Sequence, residues 1–342
     1  MEKHSHLRRQ PMPLLLVILL DLLLAAGILA VYGLFQILLP AMTAKPLAPA
    51  ATPAPTVLTE AAPTLEPETP ATPEPTPDTR TPWQIRFAEH FTDQIVRTDH
   101  SYSSPEISIS LETNSVSLSD GRTAVYHVAD VYVADIENFR TYTANNELKY
   151  FSVQDVMEMD QAAGAILSVS GDCYSYQPTG FLMRNGVSYK EDQTYCDLCV
   201  LYKDGRMETY ARDEYRVADI LAQDPWQIWN FGPSLLDAEG HVKDSYELSE
   251  SVSYTNPRCA IGYYEPGHYC FVVVDGRQPG YSDGMLMWEL AYIFEGLGCR
   301  CAYNLDGGGT AVMIFDHERY SQQSNGADRQ IGDIVLIAER GA

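Results

Sequence analysis

From Leu14 to Leu39 the chain is apolar except for Asp21, Gln36 and a few small or aromatic residues. A helix rising 1.5 Å per residue over such a run is long enough to cross a hydrocarbon core of about 30 Å. Residues 14–40 are therefore predicted to form one transmembrane helix. A cleaved secretory signal is the rival reading, since Lys3, Arg8 and Arg9 would serve as its basic start. The run nevertheless exceeds the usual apolar stretch of about 7–15 residues, and Ala41-Met-Thr-Ala44 makes a poor cleavage site. The basic residues precede the span, so residues 1–13 should lie in the cytoplasm and the rest of the chain outside, held at the cell membrane by a single pass. Residues 41–82 are rich in Pro, Thr and Ala. A segment with so few large apolar side chains cannot offset the entropy of ordering, and it is expected to be a disordered, extended stalk. Roughly 260 residues, 83–342, remain for one large folded domain.

The formal net charge is −23. Residues 1–40 carry Lys3, Arg8 and Arg9 against Glu2 and Asp21, so the remainder holds −24. That surface repels nucleic acid and anionic headgroups, which excludes nucleic-acid partners and leaves the N-terminal helix as the contact with the membrane. An anionic substrate would have to be met by a few arginines gathered in a pocket. The seven cysteines, at 173, 196, 199, 259, 270, 299 and 301, lack a second CxxC or a nearby histidine pair, so a zinc site is not expected; no cofactor is implied, and whether a divalent ion assists stays open. Cys299-Arg-Cys301 would place both thiols on one strand face, and the connectivity of the cysteines stays open.

After Trp83 the texture is β-rich. Ile107-Ser-Ile-Ser-Leu111 alternates apolar with polar, Tyr126–Val133 forms a longer strand, and Ala165–Ser170 runs directly into Gly171-Asp172. Cys199–Tyr202, the turn Lys203-Asp-Gly205 and Arg206–Tyr210 read as a hairpin. The last hundred residues alternate strand and helix: an almost wholly apolar strand at Tyr269–Val274, a helix with Leu286, Leu290, Ile293, Phe294 and Leu297 at helical spacing, then strands at Cys301–Leu305 and Ile334–Ala338. Ser282 or Asp283 is the expected cap of that helix and Gly298 its end. The pattern predicts an α/β (α+β) fold, a mixed β-sheet core with packed helices. A strand–helix–strand crossover would bring the loops after Val274 and Leu305 to the same sheet edge, where such folds place their ligands.

Those loops are Asp275-Gly276-Arg277 and Asp306-Gly307-Gly308-Gly309-Thr310. Two carboxylates and an arginine would converge there, and the three glycines would let an anion approach their backbone N–H groups. Together with Asn256-Pro257-Arg258, Ser282, Glu289-Leu290-Ala291, Ser170-Gly171-Asp172, Arg184-Asn185-Gly186 and Phe231-Gly232-Pro233, they resemble the signature blocks of the phosphodiester glycosidase family. The likeness extends over about residues 95–340. Ser170 stands where many members have Asn, Thr310 where Ser is usual, and Cys173 replaces a common aromatic. The resemblance implies an enzyme that cuts a sugar from a glycosyl phosphodiester such as a cell-surface polysaccharide, teichoic-type polymer or glycolipid. A non-catalytic sugar-binding envelope module and a glycosyl transferase in exopolysaccharide assembly remain as alternatives.

In such a reaction the departing phosphomonoester is already a weak base, so neutralising its charge matters more than protonating it. Arg258 and Arg277 are the candidates for holding it, because a guanidinium binds two phosphate oxygens at once. Asp306 is the first choice of nucleophile or general base, with Asp172 and Asp275 behind it. Asn304, Thr310, Ser282 and the backbone of Gly307, Gly308 and Gly309 are the expected substrate-binding groups, and Tyr281 and Tyr303 are the aromatic residues beside the motifs.

Overall fold

A computed structural model describes residues 78–341 apart from Ala327. The apolar run 14–40 and nearly all of the Pro-rich segment lie outside these residues. Among the described residues no helix is long and apolar enough to cross a membrane.

Alternation in Ile107–Ser117 buries Ile107, Ile109 and Leu111 on one face. The strand turns at Asp120-Gly121, where Gly121 adopts φ +86°, and returns as Thr123–Val133. The resulting hairpin is the frame of a seven-stranded sheet, ordered Val96–Thr98, Ser101–Ser103, Ile107–Ser117, Thr123–Val133, His268–Val274, Arg258–Glu265 and Cys301–Asn304. His268–Val274 is central and paired on both sides. Its Tyr269, Phe271 and Val273 face one core, while Cys270, Val272 and Val274 face another, which explains an apolar run without alternation.

Two five-stranded sheets pack on one side of this frame. One contains the expected hairpin, Leu198–Tyr202 with Met207–Tyr210, joined by Pro225–Trp229. The other contains Leu167–Ser170, flanked by Met313–Phe315 and Asp333–Ile337. The main core forms where the three sheets meet, with Leu201 and Trp229 from one, Val169, Val335 and Ile337 from another, and Phe271 and Ile261 from the seven-stranded sheet. On the frame's opposite face lies the helix Met287–Leu297, burying Leu290, Ala291 and Phe294. Truncating Phe294 would cost about 3–5 kcal/mol by the usual scale for buried aromatics. The fold is a sheet-rich α+β arrangement with few helices.

His268–Val274 and Cys301–Asn304 are each antiparallel to Arg258–Glu265 between them. They therefore run parallel to each other, and their following loops leave the same edge, as expected of a crossover. The closing strand, Asp333–Ile337, pairs with Leu167–Ser170 in a separate sheet and divides its alternate side chains between two cores. Two sequence expectations are corrected. The helix starts after Leu286, whose N–H donates to the Glu289 carboxylate at 2.7 Å, not at Ser282 or Asp283. Cys299 lies in the turn after Gly298 and packs with the helix, whereas Cys301 faces the main core.

Candidate active site

The loop after Cys301–Asn304 is locked to two distant segments. Leu305 N–H donates to Cys259 O at 2.8 Å, Asp306 N–H to Gly171 O at 2.9 Å and Gly308 N–H to Pro257 O at 2.9 Å. The Ser170 hydroxyl donates to Thr310 O, and Thr310 Oγ1 donates to Gly307 O at 2.7 Å. A Cβ on Gly307 would stand 2.7 Å from Pro257 O. Gly308 adopts φ +66°, and a Cβ there would stand 3.0 Å from Arg277 Nη2. The glycines are thus needed for close approach of Pro257 and Arg277. They do not form the expected open nest of N–H groups, since Gly308 N–H is already bonded to Pro257.

Asp306 is mostly buried, with 14% of its side chain exposed. Burial raises its carboxyl above the ordinary range, and Arg329 opposes that rise most, followed by the Cys173 thiol, the Thr310 hydroxyl and the Gly307 amide. Arg329 Nη2 lies 3.5 Å from Asp306 Oδ2, and its backbone N–H donates to Gly309 O at 2.9 Å. No motif surrounds Arg329 in the sequence, so only the folded chain identifies it as the cation at this carboxylate.

The two predicted arginines differ. Arg258 is buried, with Nε donating to Met285 O at 2.9 Å and Nη2 to Val252 O and Tyr254 O at 2.9 and 2.7 Å. Burial first, and Arg277 second, pull its pKa down to about 10. These bonds tie segment 252–257 to the sheet. Arg277 is exposed, at φ +59°, and donates to Asn256 Oδ1 at 2.7 Å. It lines an open hollow of about 550 Å³ with Arg319, Tyr320 and Gln322. Among the described residues neither Arg258 nor Arg277 has a carboxylate at ion-pair distance, although Glu289 lies near enough to Arg258 to favour its charged form.

The other predicted acids have protein partners. Asp172 and Asp333 flank the fully buried Arg184 at 2.9 and 2.8 Å, and Asp172 also accepts the N–H groups of Tyr174 and Asn230. Gly171 admits this cluster, since a Cβ there would fall 2.0 Å from Asp333 Oδ1. Asp275 accepts from His127 Nε2 at 2.8 Å, Tyr281 Oη at 2.9 Å and Gln322 N–H at 2.9 Å. Ser282 donates to Asp275 O at 2.6 Å and accepts from Val125 N–H, which braces the loop internally. Tyr303 donates to Asp197 O and Trp229 O, and so belongs to the core.

Asn304 Nδ2 donates to Gly232 O at 2.8 Å, but its buried Oδ1 has no donor among the described residues. Asn230 Oδ1, equally buried, is in the same condition. Gly232 and Pro233 border a cleft of about 590 Å³, whose walls include Gln177, Tyr195, Phe231 and Tyr246. Buried amide oxygens without donors are costly, and they are satisfied when a water or a ligand hydroxyl arrives.

Residues 163–338 match the family model described as Phosphodiester glycosidase, a stretch that contains every loop of this site. The chain belongs to the phosphodiester glycosidase family. Among curated proteins it is 24% identical over 191 residues to the SPbeta prophage-derived uncharacterized protein YomE of Bacillus subtilis (strain 168). That match covers 54% of this chain and 30% of the relative, so the chain spans under a third of the curated protein's length. Among solved structures it is similar to the zebrafish N-acetylglucosamine-1-phosphodiester alpha-N-acetylglucosaminidase catalytic domain, auto-inhibited by its pro-peptide. There the TM-score is 0.56 at 17% identity, covering 72% of this chain and 88% of that one, which supports a shared fold.

In this member of the phosphodiester glycosidase family, the fold gathers the predicted residues around one loop. Asp306 meets the segment before Asp172 through Gly171, Arg258 through Gly307 and Arg277 through Gly308. Arg277 is exposed and Asp306 keeps 14% of its side chain exposed, whereas Asp172, Asp275, Arg258 and Ser282 are buried in bonds to the protein.

Proposed function

We propose that this protein is a membrane-anchored, extracytoplasmic glycosidase that releases a sugar from a glycosyl phosphodiester. The observation that carries the reading is a buried carboxylate, Asp306, at the head of the glycine loop, with an exposed arginine, Arg277, packed against Gly308 of that loop and without an ion-pair partner among the described residues. Arg277 binds the phosphate oxygens and takes up the charge that grows as the phosphomonoester departs. Asp306, whose ionised form Arg329 favours against burial, faces the developing oxocarbenium carbon and acts as nucleophile or as base toward water. Asn304 and Asn230 accept hydrogen bonds from the sugar. Residues 14–40 anchor the chain, and 41–82 hold domain 83–342 away from the bilayer.

The test is release of phosphomonoester from a panel of sugar phosphodiesters by the full chain and by Asp306→Asn. The substitution is expected to lower turnover by at least about 100-fold with an unchanged melting temperature. Wild-type turnover in Asp306→Asn would refute its role, and glycan binding without any product would make the protein a sugar-binding module. Sugar appearing on an added glycan acceptor instead of as free sugar would make it a transferase. Anchoring is checked separately, by whether protease added outside intact cells digests residues 83–342.

A further inference from the structure

Cys270 and Cys299 lie outside the proposed chemistry, and their Sγ atoms are 3.5 Å apart in the core between the seven-stranded sheet and the helix Met287–Leu297. Cys270 sits in the central strand directly opposite Gly262. A Cβ on Gly262 would stand 2.7 Å from Cys270 Sγ and 2.7 Å from the Phe294 ring. That glycine therefore makes the room in which the thiol lies. Cys299 is placed by its own N–H, which donates to Phe294 O at 3.0 Å, immediately after the left-handed Gly298 that ends the helix. A disulfide needs sulfurs at about 2.05 Å, so a side-chain movement of roughly 1.5 Å closes the bond.

Of the remaining cysteines, Cys301 lies near enough to Cys199 and to Cys299 for their charges to act on one another, without a sulfur–sulfur hydrogen bond between them. Cys259 Sγ donates to Ser170 O and Cys301 Sγ to Met207 O, at 3.5 and 3.2 Å. Cys173 lies beside Asp306. Among the described residues, Cys270 and Cys299 alone form a sulfur–sulfur hydrogen bond.

We propose that Cys270 and Cys299 are a dithiol that becomes a disulfide when the chain folds in the presence of a disulfide oxidant. One thiol, as its thiolate, attacks the oxidant's sulfur and expels one thiolate. The second then attacks the mixed disulfide and expels the other. One S–S bond forms in the protein, and the oxidant's S–S bond is lost. The two thiol protons pass to the two expelled sulfurs, and two electrons move from protein to oxidant. The bond fastens the end of the helix to the central strand and encloses residues 271–298, which include Asp275 and Arg277. Both thiols are buried in the finished fold, so the bond forms before the helix seals the core.

The full chain would be refolded from denaturant in a mixture of reduced and oxidised glutathione, quenched in acid, alkylated under denaturing conditions and peptide-mapped without reduction. The expected result is one cross-linked peptide pair carrying Cys270 and Cys299, lighter by two hydrogens than the separate peptides and split by reductant. Cys299→Ala should abolish the pair and leave Cys270 alkylated, whereas Cys301→Ala should leave the pair intact. Alkylated Cys270 in the refolded wild-type chain, or Cys270 linked to any other cysteine, would overturn the proposal.

Discussion

Replacing Arg329 by Gln removes the cation beside Asp306 while keeping the backbone N–H that donates to Gly309 O. At 3.5 Å the bare Coulomb attraction is about 1 kcal/mol with a water-like dielectric and about 5 kcal/mol at an effective value of 20. The Arg329 side chain is 59% exposed, so solvent screening brings the interaction toward the lower figure. About 1 kcal/mol corresponds to roughly 0.7 pH in the ionisation of Asp306. Burial already lifts this carboxyl, and Arg329 is the strongest opposing influence. Its loss should therefore move the acid limb of kcat/KM upward by about 0.5–1 pH, with the plateau at higher pH kept within about two-fold. The displacement should shrink in high salt. Because the folded Asp306 holds its proton more tightly than the unfolded chain does, its contribution to stability is fully present below the unfolded pKa of about 3.9 and is lost as pH rises through the folded value. The substitution should thus slightly weaken the fold above that point, measured as the denaturation midpoint against pH. An acid limb that stays in place or moves down would refute the assignment of Arg329 as the group that favours the ionised form of Asp306.

Three further substitutions separate chemistry from architecture. Arg277→Gln should lower kcat/KM by at least about 100-fold without changing the melting temperature, whereas Arg258→Gln should lower the melting temperature by releasing the three carbonyls it holds. Equal effects of the two on stability would contradict the division made here. Gly308→Ala forces a side chain into φ +66° against Arg277 and should cost about 1–2 kcal/mol in denaturant unfolding, with a drop in kcat/KM of about ten-fold or more as the guanidinium is displaced. Arg184→Met strands two buried carboxylates and should cost about 3–5 kcal/mol. Burial, reinforced by Asp172, already raises Asp333 to about 7, so its contribution is complete below the unfolded pKa and lost as pH rises through about 7. Arg184→Met should accordingly be less destabilising at pH 5 than at pH 8, and a pH-independent loss would show that the cluster is not charged as drawn.

Much of the framework was legible in the order of the residues. Alternation in Ile107–Leu111, the unbroken apolar run at Tyr269–Val274 and the helical spacing from Leu290 to Leu297 each encode an element through local periodicity, and Gly298 marks an end because only a left-handed residue closes that helix. The parallel relation of the two loop-bearing strands followed from the crossover, and with it the meeting of Arg277 and the glycine loop. Sequence could not divide the work among the acids and arginines. Asp172, Asp275 and Asp306 look alike in a line of letters, yet Arg184 neutralises the first, His127 and Tyr281 engage the second, and Arg329 reaches the third from a stretch with no motif. Ionisation and availability are set by groups that arrive from distant segments, and the same holds for the strand Asp333–Ile337 and for the two thiols that meet beneath the helix. Local pattern determines which elements form, while the long-range pairing of those elements decides which charges are left unmatched at the sheet edge.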